Sequence, residues 1–137
     1  MQLNLTRGQV LTNQKLAQTF GVSTQGGMRR SKRNHCLVLI SKTVANPYPD
    51  KWQGDVLHYV GMGRTGDQSL MTAQNRTLNE ANDYDVAIYL FSYTGPNHYI
   101  YEGPVELVAT PYYQQQPDIN GQKRRVAVFP IAVTAKA

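Results

Sequence analysis

Apolar and polar residues alternate along the chain in short stretches, which is typical of strands rather than of long helices. Residues 36–40 are apolar throughout and predict a central strand that is covered on both faces. Residues 56–60 alternate instead, with Leu57 and Tyr59 on one side and Val56, His58 and Val60 on the other. Three further strands are predicted from β-branched and aromatic residues, at residues 86–93, 99–108 and 125–133.

Two segments carry helical signals. Thr12 or Asn13 can cap a short helix that ends at Gly21, because a polar side chain accepts from first-turn N–H groups and glycine adopts the left-handed conformation that ends helices. Apolar residues recur three and four positions apart within residues 68–81. This spacing predicts a longer helix with Asp67 as its N-cap.

These elements predict one mixed, strand-rich domain. The 137 residues contain neither an internal repeat nor a composition shift, so we assign residues 1–137 to a single domain, with residues 1–25 as a helical leader within it. Two prolines make residues 45–54 a predicted loop. The simplest architecture is of the α+β class, a curled, barrel-like sheet of about five to seven strands with two helices packed on it.

Composition and charge narrow the function classes. The chain is 41% hydrophobic and 17% charged, as in globular domains, and its net charge of +5 favours a polyanionic partner without requiring one. No apolar run reaches the roughly 20 residues of a membrane span, so we expect a cytoplasmic protein with no membrane partner. Cys36 is the only cysteine and the three histidines are scattered, so we expect no metal site and no cofactor.

A glycine-rich stretch, Gly61-Met62-Gly63 with Gly66, follows a predicted strand and precedes a predicted helix. Phosphate-binding loops occupy that position, but no P-loop lysine follows and no βαβ unit surrounds the glycines. Asp50, Asp55 and Asp67 can be imagined as catalytic carboxylates, yet turn and capping roles explain them more simply. We therefore interpret the chain as a binding module rather than an enzyme.

A basic cluster points to nucleic acid. It comprises Arg29, Arg30, Ser31, Lys32 and Arg33. Guanidinium forks match phosphate oxygens, which favours contact with a nucleic-acid backbone over the alternative of ordinary solvated charge. Aromatic residues flank the predicted loop nearby, where stacking on a base is feasible: Tyr48, Trp52 and Tyr59.

The central stretch resembles the SRA domain, a module of the PUA-like barrel superfamily that reads methylated cytosine in DNA. SRA domains carry a Tyr-Glu-Asp-Asp turn, a glycine, a Tyr-Thr-Gly, a glycine-rich loop, Asp-Gln, a helix with Asn-Arg-Ala-Leu, and a Tyr-Asp-Gly. The matching residues here are Tyr48-Pro49-Asp50, Gly54, Tyr59-Val60-Gly61, Gly61-Met62-Gly63, Asp67-Gln68, Asn75-Arg76-Thr77-Leu78 and Tyr101-Glu102-Gly103. Order and spacing agree over residues 26–108.

This resemblance implies that a modified cytosine leaves the duplex and enters an aromatic pocket. Tyr48 and Tyr59 would sandwich the base, and Asp50 would accept a hydrogen bond from its exocyclic amine. The implied pocket comprises Tyr48, Asp50, Trp52, Tyr59, Val60 and Gly61, with Val60 in place of the family threonine. The cluster at residues 29–33 would hold phosphates, and a loop with Met62, Arg64 and Thr65 would enter the duplex.

Residues 8–31 and 37–41 also resemble the leader of bacterial modification-dependent restriction enzymes, which join such a module to an HNH nuclease. The implied role is a bacterial targeting module for double-stranded DNA carrying 5-methylcytosine or 5-hydroxymethylcytosine. A fused or separate HNH nuclease and a second copy of the chain are the further candidate partners. Two alternatives stay open: a reader of another mark, such as a phosphorothioate backbone, and a PUA-like domain that binds RNA or a nucleotide or acts as a small enzyme.

Overall fold

The computed structural model describes residues 3–42 and 50–134, which form nine strands and two helices. In chain order these are β1 (Val10–Leu11), α1 (Asn13–Phe20), β2 (Met28–Ser31), β3 (Cys36–Lys42), β4 (Lys51–Gln53), β5 (Val56–Val60), α2 (Ala73–Asn79), β6 (Ala87–Gly95), β7 (His98–Leu107), β8 (Tyr112–Pro117) and β9 (Lys123–Val133). All five strands that the sequence pattern predicts are present. The predicted count of five to seven is nevertheless too low, because four short strands lie outside the five predicted ones: β1, β2, β4 and β8.

All nine strands belong to one sheet, ordered β2-β3-β6-β7-β9-β5-β4, with β1 paired to β7 and β8 paired to β9. The pairing of β3 with β6 is parallel and every other pairing is antiparallel. Over the residues with described positions, the path runs from β2 to β4 without closing. The curled sheet is therefore confirmed only as a mostly antiparallel sheet, and closure into a barrel is not confirmed.

Two apolar cores lie on opposite faces of this sheet, which explains the continuous apolar run of β3. Leu37 and Leu39 face the core that includes Leu78 of α2, whereas Val38 faces the core that includes Phe20 of α1. Successive strand residues point to opposite faces, so a strand covered on both sides needs apolar residues at every position.

Helix α1 begins and ends where the sequence predicts. The Thr12 hydroxyl accepts a hydrogen bond of 3.1 Å from the N–H of Lys15, and this cap satisfies one of the free donors of the first turn. Gly21 adopts the left-handed conformation, with φ 69°, and donates its N–H to the carbonyl of Ala17. A Cβ at Gly21 would lie 2.7 Å from Asn34 Nδ2, so both conformation and space select glycine here.

Helix α2 is shorter than predicted, since it spans Ala73–Asn79 rather than residues 68–81 and its N-cap is Thr72 rather than Asp67. Tertiary contacts explain the difference. Asp67 accepts a hydrogen bond from the N–H of Arg125, and the side-chain amide of Gln68 is also bonded to β9, so these residues are held against the sheet before the helix begins. Within residues 3–42 and 50–134, no helix has the length and apolarity to cross a membrane.

The predicted loop at residues 45–54 contains a strand. Lys51–Gln53 pair with β5 in a hairpin whose register places Gln53 opposite Val56, leaving Gly54 and Asp55 as the two turn residues. Gly54 has φ 59°, the positive value that the first turn position of a type II′ hairpin requires. This hairpin brings Asp50 beside the end of β5.

Candidate nucleic-acid interface

The Asp50 carboxyl lies between the ends of β3 and β5. Its Oδ1 accepts a hydrogen bond of 2.7 Å from the N–H of Val60, and its Oδ2 accepts one of 2.8 Å from the hydroxyl of Ser41. Burial raises the pKa of Asp50 to about 6, even though both hydrogen bonds act in the opposite direction. Each carboxylate oxygen carries two lone pairs, so each can still accept one further hydrogen bond.

Ser41, which is buried at the end of β3, is not among the site residues predicted from the sequence. The available signal is its position, because it is the first polar residue after the apolar run at residues 36–40. A polar residue at the end of a buried strand must find a hydrogen-bonding partner, and here the partner is the Asp50 carboxylate.

Tyr59 is a core residue close to this carboxyl. Its side chain is 3% exposed, and its hydroxyl lies 2.8 Å from the carbonyl oxygen of Gly27 and 3.2 Å from that of Ile40, so its proton can be donated to either. The pKa of Tyr59 is raised well above its ordinary value, first by burial and then by the charge of Asp50. The structure thus brings Tyr59 and Asp50 together, with the tyrosine ring packed in the core.

The other predicted pocket residues lie around this pair in different ways. Trp52 is the register partner of Leu57, so its exposed indole is on the same face of the sheet as Tyr59. Val60 contributes its backbone N–H to Asp50, but its side chain points to the opposite face. There it lines a groove of about 180 Å³ together with Lys51, Gln53, His58, Tyr112, Gln114, Gln116 and Val128. Tyr48 lies outside the described residues.

Gly61, the last predicted pocket residue, is a packing point. A Cβ there would lie 2.5 Å from Asn75 Oδ1 and 3.1 Å from a ring carbon of Phe129. Both neighbours are buried, and Asn75 is held by hydrogen bonds, so neither can move aside without losing contacts. Only glycine allows the chain after β5 to approach α2 this closely.

Replacing Gly61 with alanine is expected to lower the free energy of unfolding by about 1–3 kcal/mol, the usual cost of overpacking a core. Gly27→Ala is the matched control, because a Cβ at Gly27 meets its nearest atom at 3.6 Å, an ordinary contact. Denaturant unfolding of both variants measures the difference. Equal stability of the two variants would contradict the close approach at Gly61.

The loop that follows β5, at residues 61–66, is held by hydrogen bonds from buried polar side chains to its main chain. Gln68 donates its amide hydrogens to the carbonyls of Gly61 and Gly63, and its side-chain oxygen accepts from the N–H of Ala127. Asn75 accepts a hydrogen bond of 2.8 Å from the N–H of Met62 and donates to the Met62 carbonyl. The main chain of the loop is therefore held in one conformation by helix α2 and strand β9.

Arg124 completes this brace, although it belongs to the basic Lys123-Arg124-Arg125 segment. Its Nη1 donates hydrogen bonds of 2.6 Å to the carbonyl of Gly63 and 3.2 Å to that of Gly66, and the side chain is buried. The predicted inserting residues project from this fixed base into solvent: Met62, Arg64 and Thr65. Their exposure is the property that contact with a duplex requires.

The basic cluster at residues 29–33 separates into buried and exposed members. Arg29 is buried, and its guanidinium donates to the Gly26 carbonyl and to Asn13 Oδ1 and lies over the ring of Tyr99. Ser31 is buried as well, and Arg30 donates to two backbone carbonyls. Lys32 and Arg33 are the exposed cations of the cluster.

A basic cleft of about 290 Å³ lies between β2 and α2. Its lining includes Arg30, Lys32, Arg76 and Tyr84. Arg76 also pairs with Glu80 at 3.2 Å, so part of the positive charge is neutralised. An exposed tyrosine beside cations is suited to a nucleic-acid strand.

A family model described as "ScoMcrA-like, SRA domain" matches residues 7–136, which confirms the resemblance predicted from the motifs. No curated protein matches the chain. The chain is similar to the structure titled "Sulfur binding domain and SRA domain of ScoMcrA complexed with phosphorothioated DNA", with a TM-score of 0.76 and 17% identity over 96% of this chain and 40% of that one.

Two other solved structures share the fold. A SUVH5 SRA complex with hemi-methylated CG DNA has a TM-score of 0.70 and 18% identity, over 98% of this chain and 92% of that one. The modification-dependent TagI restriction endonuclease has a TM-score of 0.67 and 18% identity, over 97% of this chain and 51% of that one. The chain spans less than half the length of the ScoMcrA structures, at 40% and 25%.

Proposed function

The chain belongs to the ScoMcrA-like SRA domain family, and from this premise we propose that it is a non-catalytic reader of modified DNA. It binds duplex DNA, receives a flipped 5-methylcytosine or 5-hydroxymethylcytosine beside Asp50, and targets a modification-dependent restriction system. Any nuclease activity belongs to a separate HNH domain. The observation that carries the proposal is the Asp50 carboxyl, which is half-buried at the sheet end, accepts hydrogen bonds from Val60 and Ser41, and keeps lone pairs for a further donor.

The recognition chemistry follows from the edges of the bases. Cytosine presents an exocyclic amine that donates a hydrogen bond, whereas thymine presents a carbonyl oxygen at the same place. A carboxylate accepts from the amine and repels the carbonyl, so Asp50 would select cytosine. Trp52, whose indole is exposed, would stack on the base and replace part of the stacking that is lost on flipping, and Tyr59 would support the site from within the core.

A binding panel tests the proposal. Fluorescence anisotropy at one fixed salt concentration compares the same duplex in plain, 5-methylcytosine, 5-hydroxymethylcytosine and phosphorothioate forms, together with an RNA of the same sequence. We expect a modified cytosine to bind at least about tenfold more tightly than the plain duplex, a difference of about 1.4 kcal/mol. Equal affinity for all duplexes, or a preference for RNA, would overturn it.

A phosphorothioate reader is the second candidate, because the ScoMcrA structure with an SRA domain was solved with phosphorothioated DNA. That structure also contains a sulfur binding domain. Recognition of a backbone sulfur does not depend on a carboxylate that faces a base. The two candidates therefore differ in whether preference for the mark survives the loss of the Asp50 charge.

Lys32→Ala and Arg33→Ala are each expected to weaken binding to plain and to modified duplexes equally. Each lost phosphate contact should reduce the slope of log K against log salt by about one. A salt titration of wild type and both variants measures this. Arg29→Ala is the contrasting variant, since loss of a buried guanidinium with two hydrogen bonds should lower protein stability instead. Unchanged salt slopes in both lysine and arginine variants would remove this segment from the interface.

A further inference from the structure

The turn between β8 and β9 is built as a rigid projection. The register of the hairpin pairs Pro117 with Lys123, leaving residues 118–122 as the turn. Asp118 is buried, and its Oδ1 accepts hydrogen bonds of 2.8 Å from the N–H of Asn120 and 2.9 Å from that of Gln122. The turn therefore keeps its shape through its own hydrogen bonds.

Ile119 stands at the tip of this turn, 58% exposed among polar neighbours. A single exposed apolar residue is ordinary, so its surroundings decide whether it has a role. The N–H of Ile119 lies 3.4 Å from the carbonyl oxygen of Arg64, which places the turn directly beside the loop at residues 61–66. Met62 on that loop is a second exposed apolar side chain.

Exposed cations lie on the same loop and on the first residues of β9. Arg64 and Lys123 are exposed, and the exposed Arg125 is stacked 4.1 Å above the ring of Tyr113. The nearby Asp67 carboxylate accepts from the N–H of Arg125. An apolar tip with a positive rim matches a nucleic-acid duplex, whose phosphates lie outside its stacked bases.

The loop at residues 61–66 and the turn at residues 118–122 both contact strand β9. Arg124 of β9 donates to the carbonyls of Gly63 and Gly66, and the Asp118 turn joins β8 to β9 in the hairpin that carries Arg124. Both the loop and the turn are therefore anchored to β9. Apolar side chains on rigid supports are the wedges that architectural proteins insert between base steps.

We propose that Ile119 is a second duplex wedge, which enters the base stack beside the loop at residues 61–66 and helps open it for base flipping. The inference rests on the proposed function, because it assigns a further DNA contact to the same interface. The wedge acts only where stacked bases must be separated. A single strand that carries the modified base offers no stack to open, and therefore does not need it.

The test compares Ile119→Ser with Val10→Ser, which replaces another branched aliphatic residue of similar exposure, 47%, on β1. Affinities are measured for a modified duplex and for the single strand with the same modified base. A 2-aminopurine beside the modified cytosine reports unstacking. We expect Ile119→Ser to lose about tenfold in duplex affinity and most of the fluorescence rise, with single-strand affinity and thermal unfolding unchanged. Ile119→Met should restore both signals.

Wild-type duplex affinity in Ile119→Ser, or an equal loss on duplex and single strand, would overturn the wedge. These outcomes are separable from failure of the reader proposal. If wild type binds plain and modified duplexes equally, the reader proposal fails. In that case the wedge proposal is still supported if Ile119→Ser lowers the affinity for both duplexes and suppresses the fluorescence rise. It is contradicted if neither the affinities nor the fluorescence change.

Discussion

Asp50→Asn is expected to abolish the preference for modified cytosine and at the same time to stabilise the protein above pH 6. Asparagine can still accept from the N–H of Val60, but it lacks the charge that would hold the amine of a flipped cytosine. Without that hold the base is not retained beside residue 50, so the modification that it carries is no longer sensed. We expect the affinity ratio between modified and plain duplex to fall from at least about tenfold to near one. A phosphorothioate preference, in contrast, would survive the substitution.

The stability effect follows from the raised pKa of Asp50. The pKa of Asp50 is about 6 in the native state and 3.8 in the unfolded chain, so the native state binds the proton more tightly. The contribution of this group to stability is therefore greatest below pH 4 and falls as the pH rises towards about 6. Above pH 6 the buried charge is a cost of up to about 3 kcal/mol, at 1.36 kcal/mol per pKa unit. Asp50→Asn should therefore be more stable than wild type at pH 8, and this advantage should shrink towards pH 4.

Denaturant unfolding across pH 4 to 8 measures this difference. Asp55→Asn is the matched control, because it removes the same charge from an exposed carboxylate in the β4–β5 turn. Because Asp55 is exposed, its replacement should leave both the discrimination and the free energy of unfolding at pH 8 close to those of wild type. A less stable Asp50→Asn at pH 8 would mean that the carboxylate is there to hold the fold, and the pocket assignment would lose its main support.

Asn75→Ala is expected to release the loop at residues 61–66 and to lower the free energy of unfolding by about 2–4 kcal/mol, as the N–H and C=O of Met62 and the Ser69 carbonyl lose their buried partner. DNA affinity should fall as well, since the inserting residues lose their fixed base. Gln74→Ala, on the same helix, should change both quantities little.

A double-mutant cycle adds a sharper test. Gly61→Ala is costly because its Cβ meets both Asn75 and the Phe129 ring, so its cost should shrink in the Asn75→Ala background, where only the 3.1 Å contact with Phe129 remains. Urea unfolding of wild type, both single variants and the double variant gives the coupling energy. Strict additivity would show that the two residues do not press on each other.

The family motifs and the strands were predictable because their signals are local. The apolar run of β3, the alternation of β5 and the Thr12 and Gly21 caps of α1 each depend on neighbours a few residues away. The short strands could not be predicted in this way. Met28–Ser31 and Lys51–Gln53 carry polar residues and become strands only by pairing with β3 and β5.

The sequence by itself determined which residue types stand at the candidate site: an aspartate and a tyrosine about the β4–β5 hairpin, a glycine-rich loop, and clustered arginines. Only the tertiary structure decided what each one does. Arg29 and Arg124 look like surface cations in the sequence but are buried, because oxygen atoms distant along the chain accept their hydrogen bonds, Asn13 Oδ1 for Arg29 and the Gly63 carbonyl for Arg124. Asp50 gains its perturbed pKa only where the ends of β3 and β5 meet, since burial and hydrogen bonding are properties of the assembled sheet and not of any local pattern.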